Sequence, residues 1–212
     1  MNELIQHYIK VYKKYGPTPK GVSWSSTNKT IIRYRFISDF INNITQKKKI
    51  SVLDVGCGYG ALLKYINHRS KNFKYLGIDS NSNSINFAKD KYKLKNISFE
   101  KISLLNLEKK KKYNIVLANG LFTFKHNLTE KKMYNFLFQG IKKMINLSNE
   151  YIIFNIMSRN VDYIEKNIFY PKLIKVLNFI DRFKKSYIID TSIKEHEIFI
   201  IIKKKKNFYN IK

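Results

Sequence analysis

Residues 50–66 read ISVLDVGCGYGALLKYI. An apolar run from Ile50 to Val55 is interrupted by one acid, Asp54. Three glycines follow, Gly56, Gly58 and Gly60, and then Ala61, Leu62, Leu63, Tyr65 and Ile66 in a helical pattern. The order predicts a buried strand, a tight glycine turn and a helix. Glycine suits the turn because the backbone there needs φ values closed to other residues and room for a ligand. A helix start adds unpaired N–H donors and the positive end of the dipole. A buried acid beside three clustered glycines costs stability, so a plain strand-turn-helix without a ligand is the weaker reading.

Two ligand classes use such a turn. Gly56, Gly58 and Ala61 satisfy the dinucleotide pattern G-x-G-x-x-G/A. Asp54, two residues before the first glycine, stands where a carboxylate meets a cationic amino group, and Gly60 completes G-x-G-x-G. The next apolar run, KYLGIDSN at 74–81, ends on Asp79. An acid at that distance past the turn can accept both hydroxyls of a ribose. This spacing supports a nucleoside ligand without choosing between the two classes.

The 212 residues predict one domain, 1–212. Apolar residues make up 44% of the chain, enough for a core. Cys57 is the single cysteine, so no intramolecular disulfide forms, and its place in the turn reads as a small apolar filler. No His/Cys cluster has ligand spacing, so no metal site is expected. No apolar stretch has membrane-spanning length and MNELIQHYIK is no signal peptide, so a cytoplasmic protein is expected. The net charge of +26 raises a nucleic-acid partner. The lysines are scattered in runs and arginine is scarce, so that partner ranks behind a small-molecule acceptor.

Outward from the turn, residues 3–14 put Leu4, Ile5, Tyr8, Val11 and Tyr12 on one helical face. GPTPKG at 16–21 breaks that helix and a second begins near Thr27 or Asn28. Residues 1–46 are thus an N-terminal helical cover. Downstream, strands are expected at 97–102, 113–124 and 150–158, with a closing pair from KSYIID and EIFIIIKK. Helices are expected over SNSINFAKDKYKL, LTEKKMYNFLFQGIKKMINL and PKLIKVLNFIDRF. The tail from Lys203 reads as a frayed end. Alternating strand and helix with a final hairpin implies an α/β fold, a doubly wound, mostly parallel sheet.

The pattern D-V-G-C-G-Y-G resembles the first motif of class I S-adenosylmethionine (SAM) methyltransferases. GPTPKGVSW, Arg33–Tyr34, GIDSN, YNIVLANGLFTF, FNIMSRNVDY and EHEIFIIIKK extend the likeness over nearly the whole chain, to a little-characterised bacterial group acting on small molecules. The resemblance implies a Rossmann-like sheet of seven strands with the last antiparallel, and SAM as cofactor. It implies that Gly56, Cys57, Gly58 and Gly60 let the backbone approach the methionine part. Asp54 would hold its ammonium, and Asp79, with Ser80 and Asn81 beside it, the ribose. Ser103 and Leu104 would border adenine, Ser103 standing where many members carry Asp. Asn119 and Gly120 would line the sulfonium side, and Trp24 and Arg33 would come from the cover, Arg33 to pair with a carboxylate.

Methyl transfer mainly asks a protein to position the acceptor and exclude water, with a base only for a protonated nucleophile. His126 is the base candidate by location, ahead of His196 and Glu195; His7 and His68 read as helix-surface residues. Phe122, Arg159 and Tyr163 are acceptor-side candidates, and 159–183 reads as an insertion forming part of an acceptor pocket. The equivalent of an amino-methylating D/N-P-P-Y/F motif is Asn119-Gly120-Leu121-Phe122, without proline. The expected activity is transfer to an oxygen or nitrogen of a small, anionic or sugar-linked metabolite. The rivals are an RNA methyltransferase, an NAD-dependent oxidoreductase and a non-catalytic scaffold.

Overall fold

The computed structural model describes residues 2–24, 27–45, 48–66, 72–108, 111–193 and 196–204. Glu195, His68 and the tail beyond Lys204 lie outside the described residues. Seven strands form one sheet in the order β3-β2-β1-β4-β5-β7-β6. The chain divides into two compact units, Met1–Leu107 and Glu108–Lys212.

In the first unit, α1 (Asn2–Tyr15) and α2 (Thr27–Thr45) precede β1 (Ile50–Val55), β2 (Phe73–Asp79), α3 (Ser82–Lys91) and β3 (Ile97–Lys101). Helix α2 buries Thr30, Tyr34, Ile37, Ser38 and Ile41, the i, i+3/i+4 stripe of a helix with one face on a core. Strands β1, β2 and β3 pair in parallel, with Asp54 opposite Gly77 and Gly77 opposite Phe99. The helix expected after the glycine turn is replaced by a single 3-10 turn, Ala61–Lys64. Ala61, Leu62 and Leu63 are all buried, so three consecutive side chains are taken into the core. An α-helix with one buried stripe would leave one of them outside.

Gly77 decides how closely β2 meets the turn. A Cβ there would lie 2.8 Å from Cys57 Sγ and 2.8 Å from a Phe99 ring carbon. Gly77→Ala is therefore an overpacking substitution, expected to cost about 1–3 kcal/mol. A urea titration should show a lower midpoint at unchanged slope, and an unshifted midpoint would refute the tight fit.

In the second unit, β4 (Tyr113–Ala118), α4 (Glu130–Leu147) and β5 (Ser148–Met157) lead to α5 (Leu173–Asp181), β6 (Ser186–Asp190) and β7 (Glu197–Lys203). β4 and β5 are parallel, while β7 runs antiparallel to both β5 and β6. The last strand is therefore the reversed one, as expected. Helix α5 begins at Leu173 with Lys172 as its N-cap, two residues beyond Pro171. Among the described residues, no helix is long and apolar enough to cross a membrane.

Candidate cofactor site

In the first unit the carboxyl ends of β1 and β2 are tied together by backbone. The N–H groups of Gly56 and Cys57 both donate to the Ile78 carbonyl, at 2.8 and 3.1 Å. Gly56, Gly58 and Gly60 all have positive φ, at 72°, 54° and 74°. Their glycine requirement therefore follows from backbone shape. A Cβ at Gly60 would meet Tyr92 and Phe99 at 3.1 and 3.2 Å, so that glycine also serves packing.

Asp79 closes the turn from the other side. Its Oδ2 accepts from the Gly58 N–H at 2.9 Å and its Oδ1 from the Asn81 N–H at 2.8 Å. Burial pushes its carboxyl up, and the N–H groups of Asn81, Gly58 and Ser80 pull it back down. Asn81 is buried and its side-chain oxygen caps α3 by accepting from the Asn83 N–H at 3.0 Å. The helix therefore starts at Ser82, where the expected segment SNSINFAKDKYKL begins, with Asn81 as its cap. Ser103 is half-buried ahead of a 3-10 turn and Leu104 is buried beside it.

Asp54 is buried at the end of β1, and the Tyr75 hydroxyl donates to its Oδ2 at 2.6 Å. Burial pushes its carboxyl up to about 7, the Tyr75 hydrogen bond draws it down, and the charge of Asp79 adds to the rise. Among the described residues, no cation is one of the groups that set its proton affinity, although the chain carries a net charge of +26. Cys57 is a half-buried thiol whose proton affinity burial and then Asp54 and Asp79 raise, so it is a filler and no nucleophile.

The N-terminal segment reaches this turn. Val22 Cγ1 would be 3.2 Å from a Cβ at Gly58. The Trp24 ring stacks on Tyr34 at 5.6 Å, Tyr34 stacks on Tyr65 at 5.4 Å, and the Arg33 guanidinium lies 4.5 Å from the Trp24 ring centre. Burial raises the Tyr34 phenol well above its ordinary range, with Tyr59 and then Asp54 adding to it. Burial does the same to Tyr8 in α1, with Asp79 adding to it. His7, expected on the helix surface, is half-buried, with its Nε2 3.4 Å from Ser23 Oγ. Tyr75, Tyr34 and Tyr8 were not picked out from the sequence as site residues. The one signal available for Tyr75 is its place two residues before Gly77 on the same strand face.

The second unit holds a separate cluster after β4. Both polar atoms of the Asn119 side chain are buried without a hydrogen-bond partner. Gly120 has φ 80°, and its N–H donates to Asn155 Oδ1 at 2.7 Å. Asn155 Nδ2 in turn donates to Glu197 Oε2 at 3.1 Å, and both residues are buried. Sequence reading missed this pair because it joins residues on β5 and β7. Phe122, expected on the acceptor side, is fully buried, edge-on to Phe136 and Phe154. Its position at a strand exit suggested the pocket, but an aromatic side chain turned inward gains more from core burial. His126 is half-buried at φ 49°, edge-on to Phe124 at 6.2 Å. It follows a short antiparallel bridge, Phe124 to Ile168, that ties the irregular segment 159–171 back to this turn. Arg159 and Tyr163 are exposed on that segment, Tyr163 at 72%. The glycine turn, Asp54, Asp79, Trp24 and Arg33 are thus gathered in one unit, and Asn119, Gly120 and His126 on one turn of the other.

A parallel-strand edge bearing G-x-G-x-G, a buried acid ahead of it and an acid at the end of the next strand define a nucleoside-binding Rossmann-like fold. The model of the methyltransferase domain family matches residues 46–210. The chain belongs to that family. A protein named as a methyltransferase, 235L of Invertebrate iridescent virus 6, is 31% identical over 86 residues, covering 41% of this chain and 32% of that one. The malonyl-[acyl-carrier protein] O-methyltransferase of Acetivibrio thermocellus is 29% identical over 86 residues, covering 41% and 30%. The chain spans about a third of the length of these curated relatives. Among solved structures, the N-methyltransferase NodS of Bradyrhizobium japonicum WM9, crystallised with S-adenosylhomocysteine, matches at TM-score 0.64 and 11% identity over 94% of this chain and 97% of that one.

Proposed function

We propose that the chain is an enzyme that uses SAM to methylate an oxygen or nitrogen of a small, anionic or sugar-linked acceptor. The observation that carries this reading is Asp54, a buried carboxylate at the glycine turn whose proton affinity is set by burial, Tyr75 and Asp79, with no cation among those groups. A ligand presenting an ammonium there would supply the missing charge. The orphaned amide of Asn119 is a second feature that a polar ligand would satisfy.

When bound, SAM supplies an electrophilic methyl group on a sulfonium. Asp54 would bind the ammonium, Asp79 would keep lone pairs for ribose hydroxyls while its backbone bonds hold the turn in shape, and Leu104 would wall the adenine side. Arg33, stacked on Trp24, would pair with the carboxylate. Hydrophobic cover from Val22 and Trp24 keeps water off the turn. His126 takes the proton of a hydroxyl or amine acceptor, and Arg159 on the exposed segment holds an anionic one.

Calorimetric titration with S-adenosylhomocysteine, with NAD in parallel, tests the cofactor. Binding of the first and none of the second is expected, and the reverse would establish the oxidoreductase instead. Asp79→Ala is expected to weaken S-adenosylhomocysteine by about 1.5–3 kcal/mol, the range for a hydrogen bond to a charged group. Unchanged affinity would remove Asp79 from the site.

A further inference from the structure

Strand β6 ends the sheet and is hydrogen-bonded to β7 on one side. Among the described residues, nothing pairs with its outer side. Edge strands are commonly guarded by charges, proline or a bulge, because their free N–H and C=O groups template further pairing. The opposite edge, β3, follows that rule: Ile97 and Phe99 are buried, while Ser98, Glu100 and Lys101 are exposed. Strand β6, Ser186-Tyr187-Ile188-Ile189-Asp190, holds no lysine or proline, and its register with β7 runs unbroken. Ile188 and Ile189 are 40% and 37% exposed. Successive side chains point to opposite faces, so each face of this edge shows an isoleucine to solvent.

The strand is complementary to itself. Residues opposite each other in an antiparallel pair are both turned toward the neighbouring strand or both away. A two-fold axis between a strand and its copy must therefore pass through a residue and not between two. Centred on Ile188, that residue meets its own counterpart, Tyr187 meets Ile189 of the copy, and Ser186 meets Asp190. Aromatic–β-branched and hydroxyl–carboxylate pairs are favourable across strands. Centring on Tyr187 sets Lys185 against Ile189, and centring on Ile189 sets Asp190 against Ile188.

Charge points the same way. Lys184 and Lys185 precede the strand and Asp190 closes it. Asp190 is fixed there by Ser192, whose N–H and hydroxyl donate to its Oδ1 at 2.9 and 2.8 Å. An antiparallel copy brings the basic end of one strand to the acidic end of the other, whereas a parallel copy sets like charges together.

We propose that β6 pairs antiparallel with β6 of a second copy of this chain, about a two-fold axis at Ile188. The same patch serves both copies, so the contact closes as a dimer. A single strand of 5 residues is a small interface. A dissociation constant on the order of micromolar is therefore expected.

Sedimentation equilibrium of the full chain from roughly 1 to 100 μM should show a reversible monomer–dimer transition. A monomer throughout would overturn the proposal and leave the edge to a strand of another protein. Ile188→Lys sets two like charges at the axis and should weaken the dimer about tenfold or more. Ile164→Lys makes the same change at a residue 58% exposed outside the strands, and should alter the dimer less than about twofold. Equal losses from the two, or a dimer indifferent to Ile188→Lys, would overturn the proposal. Cysteines read the register. Opposite residues have Cα atoms about 4.5–5.5 Å apart, within disulfide reach, and diagonal ones about 7–8 Å apart, beyond it. Under mild oxidation Ile188→Cys should become a covalent dimer while Ile189→Cys stays monomeric in denaturant, with Cys57 common to both. Crosslinking as fast at 189 as at 188 would overturn the axis. None of these readouts depends on the cofactor.

Discussion

Asp54→Asn is expected to raise the melting temperature at pH 8 while weakening S-adenosylhomocysteine binding at the same pH. The folded carboxyl titrates near 7, against 3.8 for an ordinary one, and burial is the main cause. Below 3.8 both folded and unfolded chains hold the proton, and the residue is neutral in its effect. Between 3.8 and 7 the folded state keeps a proton that the unfolded chain has released. Each pH unit through that window costs the fold about 1.4 kcal/mol, and above it the full penalty, about 4 kcal/mol, is in place. Asparagine removes the charge and keeps an acceptor for the Tyr75 hydroxyl, but buries an amide N–H pair. A net gain of about 2–3 kcal/mol remains, or roughly 5–10 °C for a chain of this size. The difference between wild type and variant should grow from pH 4 to pH 7 and then level off. A gap that does not change with pH would show that Asp54 is not held in the charged form at a cost.

The same titration sets the pH dependence of binding. An ammonium pairs with the carboxylate form, so wild-type affinity should fall about tenfold for each pH unit below 7. Asp54→Asn should bind about 10–100-fold more weakly at pH 8, the loss of one charge-assisted contact, and show no such slope. A variant that binds as tightly as wild type would place the ammonium elsewhere. The fold thus tolerates at Asp54 a charge that stability alone would remove, which is the pattern of a binding residue.

The strand and the turn were legible because their signals are local. A six-residue strand with a buried acid next to its end and three glycines at positive φ lie within eleven positions, 50–60. The residues that complete the environment were not. Tyr75 meets Asp54 only because β1 and β2 pair in parallel register, 21 positions apart. Tyr34 joins the stack through the path of the cover over Tyr65, which no periodicity encodes. Gly77 reads as an ordinary strand glycine until Cys57 and Phe99 are seen on either side. Phe122 shows that place does not give side-chain direction: it follows a strand exit, and its ring is fully buried. The short 3-10 turn was misread as a helix because Ala61, Leu62 and Leu63 suit either, and only their shared burial distinguishes them.

The buried pair behind the second turn carries the other large expected effect. Asn155 and Glu197 face each other diagonally across antiparallel β5 and β7, where Asn155 pairs with Phe199 and Met157 with Glu197. Asn155 works at both ends, accepting from Gly120 and donating to Glu197. Asn155→Ala removes both hydrogen bonds at once and is expected to cost about 1–3 kcal/mol, the range for leaving a buried polar group unsatisfied. Chemical denaturation should show it as a lower midpoint with an unchanged slope. Asn155→Asp keeps an acceptor for Gly120 but sets a second carboxyl within hydrogen-bond distance of Glu197. Two such groups cannot both ionise cheaply, so the pair must share a proton. Its folded-state proton affinity rises, and the variant should lose more stability than Asn155→Ala as pH rises from 5 to 8. Adding Glu197→Gln should restore Asn155→Asp at pH 8 more than it helps Asn155→Ala, the sign of direct coupling in a double-mutant cycle. If all variants instead lose the same stability at every pH, the contact is packing alone. In that case Gly120, and with it the turn that carries Asn119, is held by its own backbone rather than by this amide.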